Sequence, residues 1–175
     1  DEGAPDSAVA TWLLRFTNTA PNAISELTLI DDTLDSRMYY YAVGVPYNRA
    51  PFDYDVYGVK ADGTEVLLGS VEKGTSNQEA YDAITNQAKQ IYAGTLDKAN
   101  ASRVNRTYQS IKIKLKDGST IPPYEKPTVY VQTKLLNPFN ETERENPTRY
   151  ENGFHAEGLV DGFGQNGKFV TKPST

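Results

Sequence analysis

Cysteine is absent from the 175 residues, and histidine and tryptophan occur once each. Without cysteine there are no disulfides, thiol nucleophiles or thiolate metal ligands. Histidine is the usual base beside a nucleophilic serine, and no G-x-S-x-G motif accompanies the single His155. One histidine also leaves a tetrahedral zinc site without enough ligands. The composition therefore argues against hydrolases of the serine or cysteine type and against zinc enzymes.

Basic residues are also too few for a nucleic-acid surface. Lysine and arginine total 18 against 23 acids, so the net charge is -5 and the isoelectric point is about 4.9. Phosphate binding leaves a basic footprint that is missing here, so we expect no nucleic-acid partner. No apolar run approaches the length that spans a bilayer, and we expect no membrane insertion.

Twelve tyrosines in an acidic, cysteine-free chain are typical of proteins secreted by organisms that do not rely on disulfides, although a cytosolic domain without cysteine is the alternative. The opening DEGAPDSAVA has no basic and apolar leader pattern and is similar to a mature end. The length favours one β-rich domain over residues 1–165, and a Gly-, Pro- and Ser-rich tail over 166–175 as a linker or edge segment.

Alternation with a period of two predicts strands along most of the chain. It is clear in AVATWLLRFT (8–17) and in ISELTLID (24–31), which a short Pro-containing segment joins as a hairpin or as neighbouring strands. Three further segments, at 37–45, 108–119 and 128–136, predict strands, and 149–160 predicts a last one. YDVYGVKADGTEVLLGSV (54–71) predicts a hairpin whose tip is Asp-Gly.

The period changes over residues 76–93. Ser76 and Glu79 have the spacing of a capping box, and Tyr81, Ile84 and Ile91 recur at helical intervals. These features predict one helix. Seven or eight short strands with a single inserted helix predict an all-β fold, an Ig-like two-sheet antiparallel β-sandwich.

Acidic residues suggest two kinds of functional site, a calcium site and a pair of catalytic carboxylates, and the sequence indicates neither strongly. Asp53 and Asp55 flank Tyr54 and are candidate calcium ligands, but the spacing completes no EF-hand loop, and a solvated acidic loop is the simpler interpretation. Two carboxylates that face each other would serve glycoside hydrolysis, a geometry that sequence does not reveal. We expect no cofactor, with calcium as the only alternative.

Tyrosines are the candidates for a ligand surface, since each offers an apolar body and a polar tip. Tyr39 and Tyr41 share one face of a predicted strand, and Tyr54 opens the next one. Tyr40 has the opposite parity from its two neighbours, so some of these rings belong to the core.

The strand pattern resembles the Ig-like modules of Gram-positive surface adhesins of the collagen-adhesin type. That family has a V-x-W/Y-x-V-x-x-x-N-T strand followed by a V-T-L-x-D-x-L strand, and the later strands and the closing Y-x-N segment are similar to YQSIKIKLKDG, TVYVQTKLLNP and YEN (150–152). The residues that match the first two patterns are Trp12, Leu14, Phe16, Asn18, Thr19, Leu27, Leu29, Asp31 and Leu34.

The resemblance implies a possible intramolecular isopeptide bond between a lysine and an asparagine, promoted by a buried acid. Asp31 shares parity with Leu27 and Leu29, so it points inward if they form the core, and Asp32 is the competing acid. Asn152 would be the amide partner. The family's lysine lies on or before the first strand, whereas the first lysine here is Lys60. Either a lysine precedes this sequence or the domain forms no such bond.

Together these features predict an extracellular adhesin or stalk module, anchored to the cell wall through its parent protein and without turnover. Its partner would be a protein or glycan on a host or neighbouring cell, and the isolated domain would be monomeric. The alternatives are a carbohydrate-binding module or carbohydrate-active enzyme on a β-sandwich, and a structural subunit of a pilus or surface layer.

Overall fold

The computed structural model describes residues 9–44, 52–74, 81–82, 87–88, 90–93, 106–136 and 150–173. Those residues form short strands and one 3-10 helix, Gly164–Gly167. The strands are β1 Ala10–Arg15, β2 Ile24–Asp31, β3 Met38–Gly44, β4 Tyr54–Val59, β5 Glu65–Val71, β6 Tyr81–Asp82, β7 Gln87–Ala88, β8 Gln90–Tyr92, β9 Ser110–Leu115, β10 Thr120–Ile121, β11 Thr128–Leu135, β12 Phe154–Val160 and β13 Lys168–Val170.

Two antiparallel sheets make up the architecture. One has four strands in the order β1-β11-β3-β8, and the other has seven, in the order β13-β12-β2-β9-β4-β5 with β10 paired to β2. Strands β6 and β7 form a separate ribbon. The predicted all-β sandwich is confirmed. Within the part of the chain that the structure describes, there is no helix of the length and hydropathy needed to cross a bilayer.

Alternating side chains explain why the sheets face each other. In β9, Ile111 and Ile113 are fully buried, whereas Lys112 and Lys114 lie on the outer face. The same alternation in β2, β4 and β11 fills the space between the sheets with apolar side chains. The largest fully buried apolar side chains come from both sheets: Leu14, Leu27, Leu29, Val43, Tyr54, Val56, Ile111, Ile113, Ile121, Val129 and Val131.

The hairpin predicted over residues 54–71 is confirmed. Strands β4 and β5 pair from Tyr54 with Val71 to Val59 with Glu65. At the tip, Gly63 has φ of +88°, a conformation in which a side chain would clash with the backbone. The Asp62 carboxylate accepts a hydrogen bond from the Thr64 amide at 2.9 Å and closes the turn.

The first two strands do not form a hairpin, because β1 and β2 lie in different sheets. Asn18 is fully buried between them. Its side-chain amide donates hydrogen bonds to the backbone oxygens of Asn22 at 3.0 Å and Ile121 at 2.9 Å. These bonds hold a corner at which the chain passes from one sheet to the other.

The predicted helix over 76–93 is wrong where the structure describes that segment. Its described residues form β6, β7 and β8, and Ile91 of β8 pairs with Val43 of β3. The capping residues Ser76 and Glu79 lie outside the described residues. Strand β8 supplies hydrogen-bond partners along one side of β3, and this long-range pairing outweighs a local helical spacing.

The tail contributes to the second sheet. Lys168–Val170, within the segment predicted as linker or edge, forms β13 and pairs with β12. Phe169 of β13 stacks on Phe16, which follows β1, with ring centroids 5.9 Å apart. The beginning and the end of the described chain therefore meet across the sandwich.

The burial of two leucines in the seven-stranded sheet predicts that they contribute very differently to the free energy of unfolding. Leu27 is fully buried and Leu67 is 55% exposed. Leu27→Ala should lower the free energy of unfolding by ~2–5 kcal/mol, because it leaves a cavity. The matched control Leu67→Ala should change it by less than ~0.5 kcal/mol. Urea unfolding measures both, and equal effects would contradict the packing described above.

Candidate functional site

The most unusual buried group in the described residues is the carboxyl of Asp31, at the end of β2. Its exposure is 0%, as it is for Leu27 on the same face of the strand. The inward orientation predicted from parity is therefore confirmed. Neighbouring Asp32 faces outward, with its side chain 43% exposed. A buried carboxyl requires hydrogen-bond partners, since its transfer from water is costly.

Two side chains supply those partners. The hydroxyl of Tyr40 lies 2.6 Å from Oδ1 of Asp31, and Nδ2 of Asn152 donates to Oδ2 at 2.6 Å. Asp31 belongs to the seven-stranded sheet, Tyr40 to β3 of the four-stranded sheet, and Asn152 to the segment that leads into β12. We call these three residues the Asp31 clamp, because they join both sheets and the entry to β12.

A protonated, neutral Asp31 best explains the short contacts within the clamp. Tyr40 Oη is also 2.8 Å from the backbone oxygen of Asp31, so its single proton faces two acceptors. If Oδ1 of Asp31 carries a proton and donates it to Tyr40, the tyrosine donates to the backbone oxygen and every short contact contains a proton. An ionised Asp31 would leave one of these two contacts without a proton.

Burial also favours the protonated form of Asp31. It raises the pKa of Asp31 to about 7, while the hydrogen bonds from Tyr40 and Asn152 partly oppose the rise and the nearby charge of Asp32 adds to it. Burial and the charge of Asp31 also raise the pKa of Tyr40 well above its usual range, with Arg106 acting in the opposite direction. The tyrosine therefore remains a neutral donor at any physiological pH.

The turn between β2 and β3 places Asn152 against the acid. The backbone amide of Asp35 donates to the Glu151 oxygen at 2.8 Å, and the Glu151 amide donates to the Asp35 carboxylate at 3.3 Å. Arg37 pairs with Asp35 at 2.7 Å and lies 4.3 Å over the Tyr150 ring. Because these contacts flank residue 152 on its N-terminal side, its side chain is directed into the clamp.

The Arg37 guanidinium also acts on the acid of that turn. Its hydrogen bonds lower the pKa of Asp35 to about 2. Asp35 therefore stays ionised at neutral pH, whereas Asp31, four positions earlier, keeps its proton up to a pH of about 7. Asp35 anchors the turn, and Asp31 lies in the core.

Histidine adds a third titratable group at the rim. His155 Nδ1 is 3.6 Å from the Asp32 carboxylate, and this nitrogen is buried without a hydrogen-bond partner. His155 pairs with Ile30 across β12 and β2. His155 therefore faces the exposed Asp32 beside the clamp.

The tyrosines selected as a ligand surface divide between the surface and the core. Tyr54 is only 1% exposed, so its assignment to a ligand surface is wrong, because the first residue of β4 faces the interior. Tyr39 and Tyr41 are half-buried on the outer face of β3, with Lys134 lying 4.1 Å over the Tyr41 ring. Tyr40 is buried between them, as the opposite parity predicts.

The two calcium candidates already interact with protein donors. Asp53 accepts a hydrogen bond from the Lys73 amide at 2.5 Å, and Asp55 accepts one from the Ser70 hydroxyl at 2.5 Å. Among the described residues, no group of three or more acidic, histidine or cysteine side chains is arranged to hold a metal ion. The geometry brings Asp53 and Asp55 to the β4–β5 hairpin but adds no further ligand.

The lysines on β9 and directly after it lie on the outer face of the seven-stranded sheet. Lys112 and Lys114 pair with Glu65 at 2.9 and 2.8 Å, and Lys116 is 3.8 Å from Asp55. In place of the lysine that the resemblance implies, the hydroxyl of Tyr40 contacts the buried acid. The structure therefore brings Asp31 and Asn152 together, with a tyrosine as the third member.

Sequence reasoning missed Tyr40 as the partner of Asp31. A usable signal existed, because the central residue of a Tyr-Tyr-Tyr strand must point inward when its neighbours point outward. Its hydroxyl then needs a buried acceptor, and Asp31 was the one inward acid already identified.

Comparison with known proteins does not place the chain in a family. No protein-family model matches it, and searches of curated proteins and of solved structures returned no match.

The raised pKa of Asp31 predicts a pH-dependent stability. Between the unfolded value of 3.8 and the folded value of about 7, the folded state holds a proton that the unfolded state has lost. Stability should therefore fall as the pH rises through this window, by up to ~4 kcal/mol. Asp31→Asn replaces the neutral acid by an amide of the same shape that cannot ionise, so this slope should disappear.

Urea unfolding over a series of pH values tests the prediction. The matched control is Asp117→Asn, which alters an exposed carboxylate in the β9–β10 turn and should retain the wild-type slope. If the Asp31→Asn protein shows the same decline between pH 4 and about 7, Asp31 is not the group responsible.

Proposed function

We propose that this chain is an extracellular β-sandwich module of a bacterial surface protein, which spaces or presents a binding region and performs no turnover. The observation that carries the proposal is the Asp31 clamp, which joins the two sheets and the entry to β12 through buried hydrogen bonds. The resemblance to adhesin modules supplies the bacterial surface as the setting.

The position of the clamp suits a module that transmits tension. The first described strand, β1, is an edge of the four-stranded sheet, and the last, β13, is an edge of the seven-stranded sheet. A force that separates the ends of the chain therefore acts between the sheets. The hydrogen bonds from Tyr40 and Asn152 to Asp31 would have to break before β3 and the start of β12 could move away from β2.

Buried polar groups are an expensive way to stabilise a core, since well-packed apolar side chains are often as stabilising or more so. A clamp of three polar side chains is better explained by a requirement for one fixed arrangement of the sheets. A stalk or presenting module has that requirement, because its two ends must keep a constant relation.

Within this proposal the clamp works without a lysine cross-link. Both side-chain oxygens of Asp31 and the amide nitrogen of Asn152 are already engaged. The intact mass of the freshly purified protein should equal the sequence mass. A stable loss of one ammonia, mapped to a peptide that joins a lysine to Asn152, would contradict this part of the proposal.

Pulling single molecules by their ends tests the mechanical role. Tyr40→Phe removes the hydroxyl that joins the sheets and should lower the unfolding force. The control Tyr124→Phe removes a hydroxyl from a ring that is 75% exposed and should leave the force unchanged. Equal unfolding forces for the wild type and Tyr40→Phe would contradict the mechanical role proposed for the clamp.

The outer face of the four-stranded sheet is the candidate ligand surface. Tyr39 and Tyr41 lie on it together with Lys134, and Leu13 of β1 is 45% exposed beside Tyr130, its cross-strand partner. Half-buried aromatic rings with a nearby cation can stack on sugar rings or on protein side chains. This arrangement favours a glycan or protein ligand over a nucleotide or metal.

A glycan array and a panel of matrix proteins test this surface. Tyr41→Ala should lower any binding by at least ~10-fold if the ring stacks on the ligand, since such anchors contribute ~2 kcal/mol. Tyr124→Ala is the control on an exposed ring away from β3. Binding that is insensitive to Tyr41 would exclude this face.

Assays for turnover and assembly address the rival functions. Release of reducing sugar that one carboxylate substitution abolishes would favour a carbohydrate-active enzyme. Ordered self-association at micromolar concentration in light scattering would favour a pilus or surface-layer subunit. An antibody to the domain should label intact cells, and labelling only after lysis would contradict the proposed location.

A further inference from the structure

The amide of Asn152 lies between two groups that could act on it chemically. Gly153 follows it directly, and the Gly153 backbone N–H donates a hydrogen bond to Oδ1 of Asn152 at 3.0 Å. On the other side, Nδ2 of Asn152 is 2.6 Å from Oδ2 of Asp31. A nucleophile and an acid are thus held on the two ends of one buried side chain.

Glycine at position 153 removes the steric barrier to attack by the backbone nitrogen, because it has no Cβ beside that atom. A backbone nitrogen next to a side-chain amide closes a five-membered ring, and fixed contact raises the rate of such intramolecular reactions strongly. The hydrogen bond from Gly153 shows that its nitrogen already lies beside the carbonyl group of Asn152.

Asp31 lies beside the group that must leave. The leaving nitrogen needs a proton to depart as ammonia, and a neutral carboxyl in hydrogen-bond contact can donate it. Asp31 presents its proton at Oδ2 when the Tyr40 hydroxyl turns from the backbone oxygen to donate to Oδ1. Both positions of that hydroxyl are within hydrogen-bond distance.

We propose that Asn152 is a self-modification site, at which the Gly153 nitrogen displaces ammonia to form a succinimide, with Asp31 as the proton donor. Water then opens the imide to aspartate or isoaspartate at position 152. This inference is independent of the proposed location and of the stalk role, because it depends only on the contacts of residues 31, 152 and 153.

The atoms balance without any oxidant or added reagent. The bond between Gly153 N and Asn152 Cγ forms while the Gly153 proton passes to Oδ1, giving a neutral tetrahedral intermediate. The bond between Cγ and Nδ2 then breaks as Asp31 gives its proton to the nitrogen, and Asp31 regains a proton from the Oδ1 hydroxyl. The later hydrolysis consumes one water, so the net change is one water for one ammonia.

The product weakens the clamp. A carboxyl at position 152 replaces the amide donor and faces Asp31, so two acids must share one proton or repel each other. Isoaspartate also lengthens the backbone by one carbon immediately before β12. The modification therefore accumulates with the age of the protein at the contact between Asp31 and the entry to β12.

The chain contains a second Asn-Gly pair that serves as an internal comparison. Asn166 precedes Gly167 in the 3-10 helix, and its side chain is exposed. Both pairs should react at similar rates in a denatured chain, because the local sequence chemistry is the same. In the folded protein, only Asn152 contacts a buried acid.

The test is peptide mapping by mass spectrometry of the folded protein, incubated at neutral pH and physiological temperature, with isoaspartate detected by enzymatic methylation. Asn152 should convert faster than Asn166 in the folded protein, and the two rates should converge in urea. Conversion of Asn152 at or below the rate of Asn166 in the folded state would overturn the proposal.

Two variants assign the roles. Asp31→Asn should slow conversion at Asn152 by roughly 10-fold or more, as expected for loss of a general acid, and leave Asn166 unchanged. Gly153→Ala should slow Asn152 alone by hindering the attacking nitrogen. An unchanged Asn152 rate in either folded variant, with folding verified by circular dichroism, contradicts the corresponding role.

The pH profile separates proton donation from a structural effect. The titratable groups that act on the acid are Tyr40 and Asp32, and Asp32 lies beside His155. Arg106 acts on Tyr40. Above the pKa of Asp31, about 7, the donor is ionised, so the ratio of the Asn152 rate to the Asn166 rate should fall. A ratio that stays constant through that pH would exclude Asp31 as the acid.

A lysine cross-link and a succinimide both lose one ammonia, and mild base distinguishes them. The imide reopens in base and leaves a modified residue 152 in a linear peptide, whereas an isopeptide bond persists and joins two peptides. Failure of the self-modification therefore leaves the proposed function untouched, and a cross-link would affect only the proposal that the clamp is noncovalent.

Discussion

The hydrogen bonds around Asp31 add a buried polar contact to the apolar packing between the two sheets and to the backbone pairing of β12 with β2. Tyr40 and Asn152 reach this acid from the opposite sheet and from the segment before β12. Because the acid is fully buried, each of these bonds is required: a missing partner would leave a polar group without water or protein to satisfy it. The relative position of the sheets and the path of the chain into β12 both depend on this contact.

The same contact gives the core a chemical property as well as a shape. Burial raises the pKa of Asp31 to about 7, so this carboxyl can still hold a proton near neutral pH in a place from which water is excluded, while Asp35, four residues later, is held ionised by Arg37. Environment, and not residue type, separates the two acids. The proposed stalk role uses the clamp as a joint, and the proposed modification of Asn152 uses its acid.

Local pattern predicted more of the fold than of the site. Alternation located β1, β2, β3, β9 and β11, and it oriented Asp31, because a strand places alternate side chains on one face whatever its partner is. The helix predicted over 76–93 is wrong at the residues of that segment that the structure describes. Helical spacing is a weak local preference, and Ile91 instead completes the pairing of β3 by a contact with a distant strand.

By itself, the sequence determined the all-β class, the Asp-Gly turn at Gly63 and the inward direction of Asp31, since each follows from local geometry and chemistry. Only the tertiary structure decided which sheet each strand joins, and therefore that Tyr40 would meet Asp31 from across the core. It also decided that Tyr54 is buried and that Asn152 contacts the acid. These outcomes depend on pairing between residues far apart in the chain, which no local periodicity encodes.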